Sequence, residues 1–159
     1  MPEDKTEQMA LLPPFMVSIK GEELAVRDAL GQFLSALQPL SLSVEEAGTV
    51  ELVLAEVLNN IVEHAYPEAD TAGFITIACA HRQDGLHLQI TDEGKPMPDG
   101  IAPLGQRASL DVELDDLPEG GFGWFLIQDL AKDVLYQRIG TENQLTMRLA
   151  VAVQPTAAS

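Results

Sequence analysis

The run "SVEEAGTVELVLAEVLNNIVEHAY", Ser43 to Tyr66 and closed by Pro67, constrains this chain more than any other stretch. At about 100° per residue, Leu54, Val57, Leu58, Ile61 and Ala65 cluster on one side of a helix. Ser43 is its candidate N-cap, with Glu46 three residues on as the capping-box partner, and Pro67 stops it. A long helix with one apolar face must lie against a second layer. The same run steps Glu56, Asn60 and His64 at four-residue spacing, which is expected to place a carboxylate, a carboxamide and an imidazole together on the opposite, polar side.

The remaining segments supply that second layer. "FMVSIK" (15–20) reads as a short strand, and "GEELAVRDALGQFLSALQ" carries Leu24, Leu30, Phe33, Leu34 and Leu37 at helical spacing. "FITIACAHR" and "GLHLQITD", separated by Gln83-Asp84-Gly85, predict an antiparallel hairpin. From Glu93 to Gly121 runs a Pro-, Gly- and Asp-rich stretch, a length that compact domains usually reserve for functional loops. "GFGWFLIQDLAKDV" then sets Leu126, Ile127, Leu130, Ala131 and Val134 on one helical face, and "VLYQRI" and "NQLTMRLAV" close the chain as strands around Gly140. The order predicts an α+β, two-layer sandwich: a largely antiparallel mixed sheet of about five strands with three main helices on one face. With 159 residues, 46% of them hydrophobic, the expectation is a single domain over 14–153 between flexible ends at 1–13 and 154–159.

Charge and cysteine content narrow the function classes. Nine basic against 25 acidic residues give a formal net charge of -16, which repels nucleic acid and anionic membranes. The one cysteine, Cys79, cannot form an internal disulfide, and the acidic N-terminus holds neither a signal peptide nor an anchor, so a cytoplasmic location is expected. His81, His87 and Cys79 lack metal-ligand spacing and read as strand residues, and Trp124 reads as a packing anchor.

Three polar features stand on this scaffold. The Glu56-Asn60-His64 row is one, although taken alone such a row also describes the solvated face of an ordinary amphipathic helix. The second is Asp92, which shares parity with Leu86, Leu88 and Ile90 and so points to the core, where a carboxylate needs a partner. Gly94 leaves room for a flat ligand to approach the backbone and Pro96 stiffens the turn, though Asp-x-Gly is also a common turn. The third is "EGGFGWFLI", where Gly120, Gly121 and Gly123 lead into a helix start whose free N–H groups suit phosphates.

In this order, the features resemble the N, G1 and G2 boxes of the GHKL ATPase superfamily. "EVLNNIVEHAY", "DEGKPMP" and "GGFGWFLI" look most like its small serine/threonine kinases of the anti-sigma-factor type; histidine kinases more often continue the first box with Asn-Ala and need a phosphoaccepting helical region. The resemblance covers nearly the whole folded chain and implies the GHKL fold, with ATP and Mg2+ as ligands. It implies that Asn60 gives its oxygen to Mg2+, that Glu56 is the general base for a serine or threonine hydroxyl, and that Asp92 accepts from the adenine amino group. Gly120, Gly121 and Gly123 would cradle the phosphates, and 105–119 would be a lid. The implied nucleotide-binding set is Asn60, His64, Asp92, Gly94, Pro96, Met97, Gly120, Gly121, Phe122 and Gly123, with His64 left between a structural role and the phosphate end. Asn59 lies about 100° round the helix from Asn60 and is the competing register.

Two points fit less easily with nucleotide binding. The lid is acidic, with Asp111, Glu113, Asp115 and Asp116 against Arg107, and Arg107 and Lys95 are the nearest cations the sequence offers. The implied activity is an ATP-dependent serine/threonine protein kinase acting on a STAS-domain anti-sigma antagonist, with a sigma factor as a further partner, transcription regulation as the outcome and a homodimer allowed. The alternative is a non-catalytic, nucleotide-responsive module that binds a regulator. An ATPase domain of a larger dimeric machine is a third, disfavoured by the absence of a transducer region.

Overall fold

The computed structural model describes residues 11–66, 73–96 and 127–154. Five strands form one sheet: β1 (Phe15–Lys20), β2 (Phe74–Arg82), β3 (Gly85–Asp92), β4 (Ala131–Ile139) and β5 (Glu142–Leu149), in spatial order β1-β2-β3-β5-β4. All four pairings among the described residues are antiparallel, as the largely antiparallel prediction has it, and the parallel pair that a mixed sheet would add does not occur among them. Helices α1 (Glu23–Ala36) and α2 (Val44–Asn60), and helical residues 127–130, supply the other layer. The result is an α+β sandwich with its helices on one face. Val17, Ile19, Ile75, Ile77, Leu88, Ile90, Leu145 and Met147 from the strands join Val26, Phe33, Val53, Leu54, Val57 and Leu58 from the helices in one buried core. The other face of the sheet carries Met16, Ser18 and Gln89, all exposed.

Helix α2 begins as its sequence dictates. Ser43 Oγ accepts from Glu46 N at 3.0 Å and Ser43 N donates to Glu46 Oε1 at 3.2 Å, which satisfies two of the N–H groups the helix start would leave unpaired. The second carboxylate oxygen, Glu46 Oε2, accepts from Ala152 N at 2.9 Å, tying the helix start to the chain leaving β5.

Other expectations are corrected. Helix α1 buries Val26, Ala29 and Phe33, whereas Leu24 is 88% exposed. On a helix, Val26 lies within about 20° of Phe33 and Leu24 about 180° from it, so Leu24 falls outside the buried stripe, while Leu37 is buried with Phe33 and Leu30 and Leu34 pack against the core. The last helix ends at residue 130, where Ala131 and Val134 were expected to continue its face; both belong to β4. Ala131 pairs with Leu149, and a register shift between Lys132 and Leu135, with Asp133 at φ 53, lets the strand start there. Sheet pairing overrides the helical spacing because Val134 and Tyr136 satisfy a period of two as readily as Leu130 and Val134 satisfy one of four. Cys79 is buried, with its thiol pushed up to about 12 by burial, and is inert.

The carboxylate of Glu46 is held below its usual range, first by the Ala152 N–H and then by the Ser43 N–H. A depressed carboxylate contributes stability that is present above its unfolded pKa and is lost as pH falls through the folded value. Glu46→Gln should lower the urea midpoint at neutral pH, by about 1 kcal/mol of stability. The deficit should fade in acid, where wild type and variant converge.

Candidate functional site

The site is built where α2 runs out. After Asn60 the helix widens into one π turn, Ile61–Ala65, closed by Tyr66 N donating to Ile61 O at 3.2 Å. Such turns are rare and are frequent at functional sites. Here the turn carries the chain to the end of β3. Lys95 N donates to Ala65 O at 3.0 Å, and a side chain on Gly94 would overlap the Ala65 carbonyl. Gly94 is therefore required by protein against protein, not by room for a ligand as its sequence context suggested.

Tyr66 fixes the other side of this seam. Its hydroxyl donates to Phe74 O at 3.1 Å and accepts from Glu93 N at 2.8 Å, and its ring fills the space that side chains on Gly21 and Gly73 would need. Burial raises its pKa, which keeps the donor proton in place. The start of β2 and the end of β3 are thus pinned to one phenol. Nothing in the spacing of "EHAY" announced this role.

Between the helix end and the sheet lies a cleft lined by Asn60, Ile61, His64, Ala65, Ile90, Asp92, Lys95, Pro96, Tyr136, Asn143 and Leu145. It brings together Asn60, His64, Asp92 and Pro96, four of the residues singled out in the sequence. Its free space is narrow, about 30 Å³. Glu56 lies one turn before Asn60, half-buried, and is not among the lining residues. Met97, Gly120, Gly121, Phe122 and Gly123, with the lid 105–119, fall outside the described residues.

Asn60 is buried, at 4% exposure, rather than on a polar face opposite the core. The reason is angular: it sits about 20° from Val53 on the helix, at the edge of the buried stripe. Its Nδ2 donates to Glu56 O at 2.6 Å, which fixes the orientation of the carboxamide, its oxygen being a hard acceptor. Asn59, the competing register, is exposed and lines a different depression, beside Glu63 and Tyr66. His64 is exposed at the mouth of the cleft.

Asp92 is buried at the end of β3, on the side its parity foretold. Its Oδ1 accepts from Gly94 N at 2.9 Å and from Asn143 Nδ2 at 2.7 Å. Burial pushes its carboxyl above the ordinary range, while the Asn143 and Gly94 donors and the Arg138 charge pull the other way. Asn143 was missed in the sequence, although it shares parity with Leu145, Met147 and Leu149. Arg138 was missed too: from edge strand β4 its Nη1 reaches Gly94 O at 2.8 Å, adding a cation at the turn beside Lys95, which the sequence did name.

A larger groove, about 660 Å³, opens on the bare face of the sheet beside Met16, Ala78, Ala80 and Thr146. Among its charged groups, Arg148 Nε lies 3.0 Å from Asp133 Oδ2 and His87 Nε2 lies 2.7 Å from Asp84 Oδ1, and Arg82 also lines it. The small cleft, by contrast, collects a carboxamide and a carboxylate from distant parts of the chain.

Residues 21–149 match the histidine kinase-like ATPase domain family. The chain belongs to that family. Among curated proteins it is similar to the serine-protein kinase RsbW of Staphylococcus aureus strains RF122 and JH9, 30% identical over 102 residues that cover 60% of this chain and 62% of the relative. The match thus spans less than two thirds of those relatives. Among solved structures, the SiaB-SiaC complex from Pseudomonas aeruginosa gives a TM-score of 0.62 at 18% identity over 94% of both chains. The RsbU and RsbW domains of a Mycobacterium tuberculosis protein give 0.61 at 16% identity, over 87% of this chain and 32% of that one. At these identities the structures speak for the fold alone, and it is the GHKL fold. Among the described residues no helix is long and apolar enough to cross a membrane.

A buried carboxylate raised above its ordinary pKa binds its proton more tightly in the folded state, so stability falls as pH rises through the interval between its unfolded and folded values. Asp92→Asn should therefore raise the melting temperature at neutral pH, with the gain vanishing in acid. A melting series across pH reads both.

Proposed function

We propose that this chain is an ATP- and Mg2+-dependent serine/threonine kinase of the anti-sigma-factor type, which transfers the γ-phosphate to a hydroxyl of a STAS-domain antagonist. The observation that carries the reading is the convergence of Asn60 and Asp92, from α2 and β3, on one cleft. The kinase name of the RsbW relatives supports the activity, and the two-protein SiaB-SiaC neighbour supports a protein partner.

The residues fit the ligands. Mg2+ takes hard oxygen ligands and usually keeps waters and phosphate oxygens in its remaining positions, so a single carboxamide oxygen from Asn60 would suffice on the protein side. When bound, Mg2+ would neutralise charge on the phosphates. Asn60 would supply its carboxamide oxygen, held outward because the nitrogen is committed to Glu56 O. Asp92 would receive the 6-amino group of adenine on the carboxylate oxygen that Asn143 and Gly94 leave open. Glu56 would accept the proton of the attacking hydroxyl. Gly120, Gly121, Phe122 and Gly123 would hold the phosphates, and Met97 and Pro96 would flank the base. Contact with a sigma factor, homodimer formation and a cytoplasmic location belong to the same proposal.

A second reading, a regulator-binding module that uses nucleotide without catalysis, is favoured by one observation: Glu56 does not line the cleft. The two separate on Glu56. Calorimetry should find ATP binding that is strengthened by Mg2+, lost in Asp92→Ala, and retained without Mg2+ dependence in Asn60→Ala. Glu56→Gln should keep ATP affinity and lose phosphotransfer to a STAS partner by about 100-fold or more. Transfer surviving in Glu56→Gln contradicts its role as base, and no transfer by wild type leaves the binding module. A native chain that binds no adenine nucleotide ends both.

A further inference from the structure

Asn143 stands directly across from Asp92 in the β3–β5 register and is buried. Its Oδ1 accepts from Tyr136 Oη at 2.6 Å and from Arg138 Nη1 at 3.0 Å; its Nδ2 donates to Asp92 Oδ1 at 2.7 Å and to Lys95 O at 2.9 Å. A guanidinium can only donate, so Arg138 fixes which end of the carboxamide is oxygen, and the nitrogen must face Asp92. Gly94 N supplies a second donor to the same Oδ1. Both lone pairs of Oδ1 are thereby used, and among the described residues Oδ2 is the oxygen left for a ligand.

We infer that Asn143 is a positioning residue that sets base selectivity: by committing Oδ1 and holding Asp92 as a charged acceptor, it favours a purine with a 6-amino donor over one with a 6-oxo group. This rests on the proposal that Asp92 receives the base. A carboxylate offers only acceptors, which a 6-amino group satisfies and a 6-oxo group opposes, whereas a protonated carboxyl gains a donor that a 6-oxo group can use. Burial alone would drive Asp92 toward that protonated form, and the Asn143 contact is the first of those that oppose it. The other groups around it are Arg138 and Tyr136 of β4, Glu142 of β5, Tyr66 and His64 at the helix end, and Glu93 and Lys95 in the turn. Of these, Arg138 favours the charged form and Glu142 opposes it.

The test measures ATP and inosine triphosphate binding by calorimetry from mildly acidic to neutral pH, together with the Asp92 carboxyl titration of the ligand-free protein by carbon NMR. Wild type, Asn143→Ala and the near-isosteric Asn143→Asp are compared. The expected result is a wild type that prefers ATP. Asn143→Ala should bind ATP about tenfold more weakly at neutral pH with little change for inosine triphosphate. The midpoint of ATP affinity and the Asp92 titration should both move to higher pH. Asn143→Asp keeps an acceptor for Arg138 and Tyr136 but turns an acceptor on Asp92, so it should move both further the same way. Equal loss of the two nucleotides with unmoved midpoints, or variants with wild-type selectivity and titration, overturns the inference while leaving a wild type that binds ATP. A wild type that binds neither nucleotide overturns the proposed function and the selectivity with it.

Discussion

The contact on which the site depends is a backbone one: Lys95 N–H to the Ala65 carbonyl, with Gly94 pressed against the same carbonyl. It joins the end of a long helix to the end of a central strand. Together with the Tyr66 hydroxyl on Glu93 N, it sets Asn60 and Asp92 at one margin of the shared core. The π turn matters for the same reason. It spends one extra residue after Asn60, turning the chain so that Ala65 and Tyr66 face the strand end, and Tyr66 then takes Glu93 N as its own.

Behind this seam the packing is ordinary and the polar chemistry is concentrated. The helices cover one face of a five-stranded antiparallel sheet through a single apolar core, and three of the four buried polar side chains among the described residues, Asn60, Asp92 and Asn143, line the cleft at its margin, with His81 elsewhere. Each has a partner inside the protein, as buried polar groups must. Asp92 remains the costly member, because desolvation opposes its charge and its donors only partly compensate. A carboxylate kept in that setting is a feature expected of a binding site more than of a scaffold.

Much of the fold was legible because its signals were periodic and strong. The capping box at Ser43 and Glu46, the 74–92 hairpin and the inward parity of Asp92 all lie where period and turn chemistry put them. Where two periods could both be satisfied, as at Ala131 and Val134, sequence favoured a helix and strand pairing with β5 decided otherwise. Leu24 misled because it lies half a turn from Phe33 on the helix, away from the stripe that Val26, Phe33 and Leu37 bury. Asn60 misled because a polar residue invites a polar face. The site was half legible: Asn60, His64, Asp92 and Pro96 meet in one cleft, but Tyr66, Arg138 and Asn143 act through contacts between residues 27, 44 and 51 positions apart, which a linear pattern does not display.

The central claim is that Asn60 and Asp92 form one nucleotide site under the helix end. Titrating isotope-labelled protein with ATP and Mg2+, and following the amide and carboxamide NMR signals, tests it most directly. The largest changes should fall on the side-chain amides of Asn60 and Asn143 and on the backbone of residues 92–95, with the open sheet face around Met16, Ala78 and Thr146 unmoved. Changes confined to that open face, with the signals of Asn60 and 92–95 undisturbed, would contradict the account.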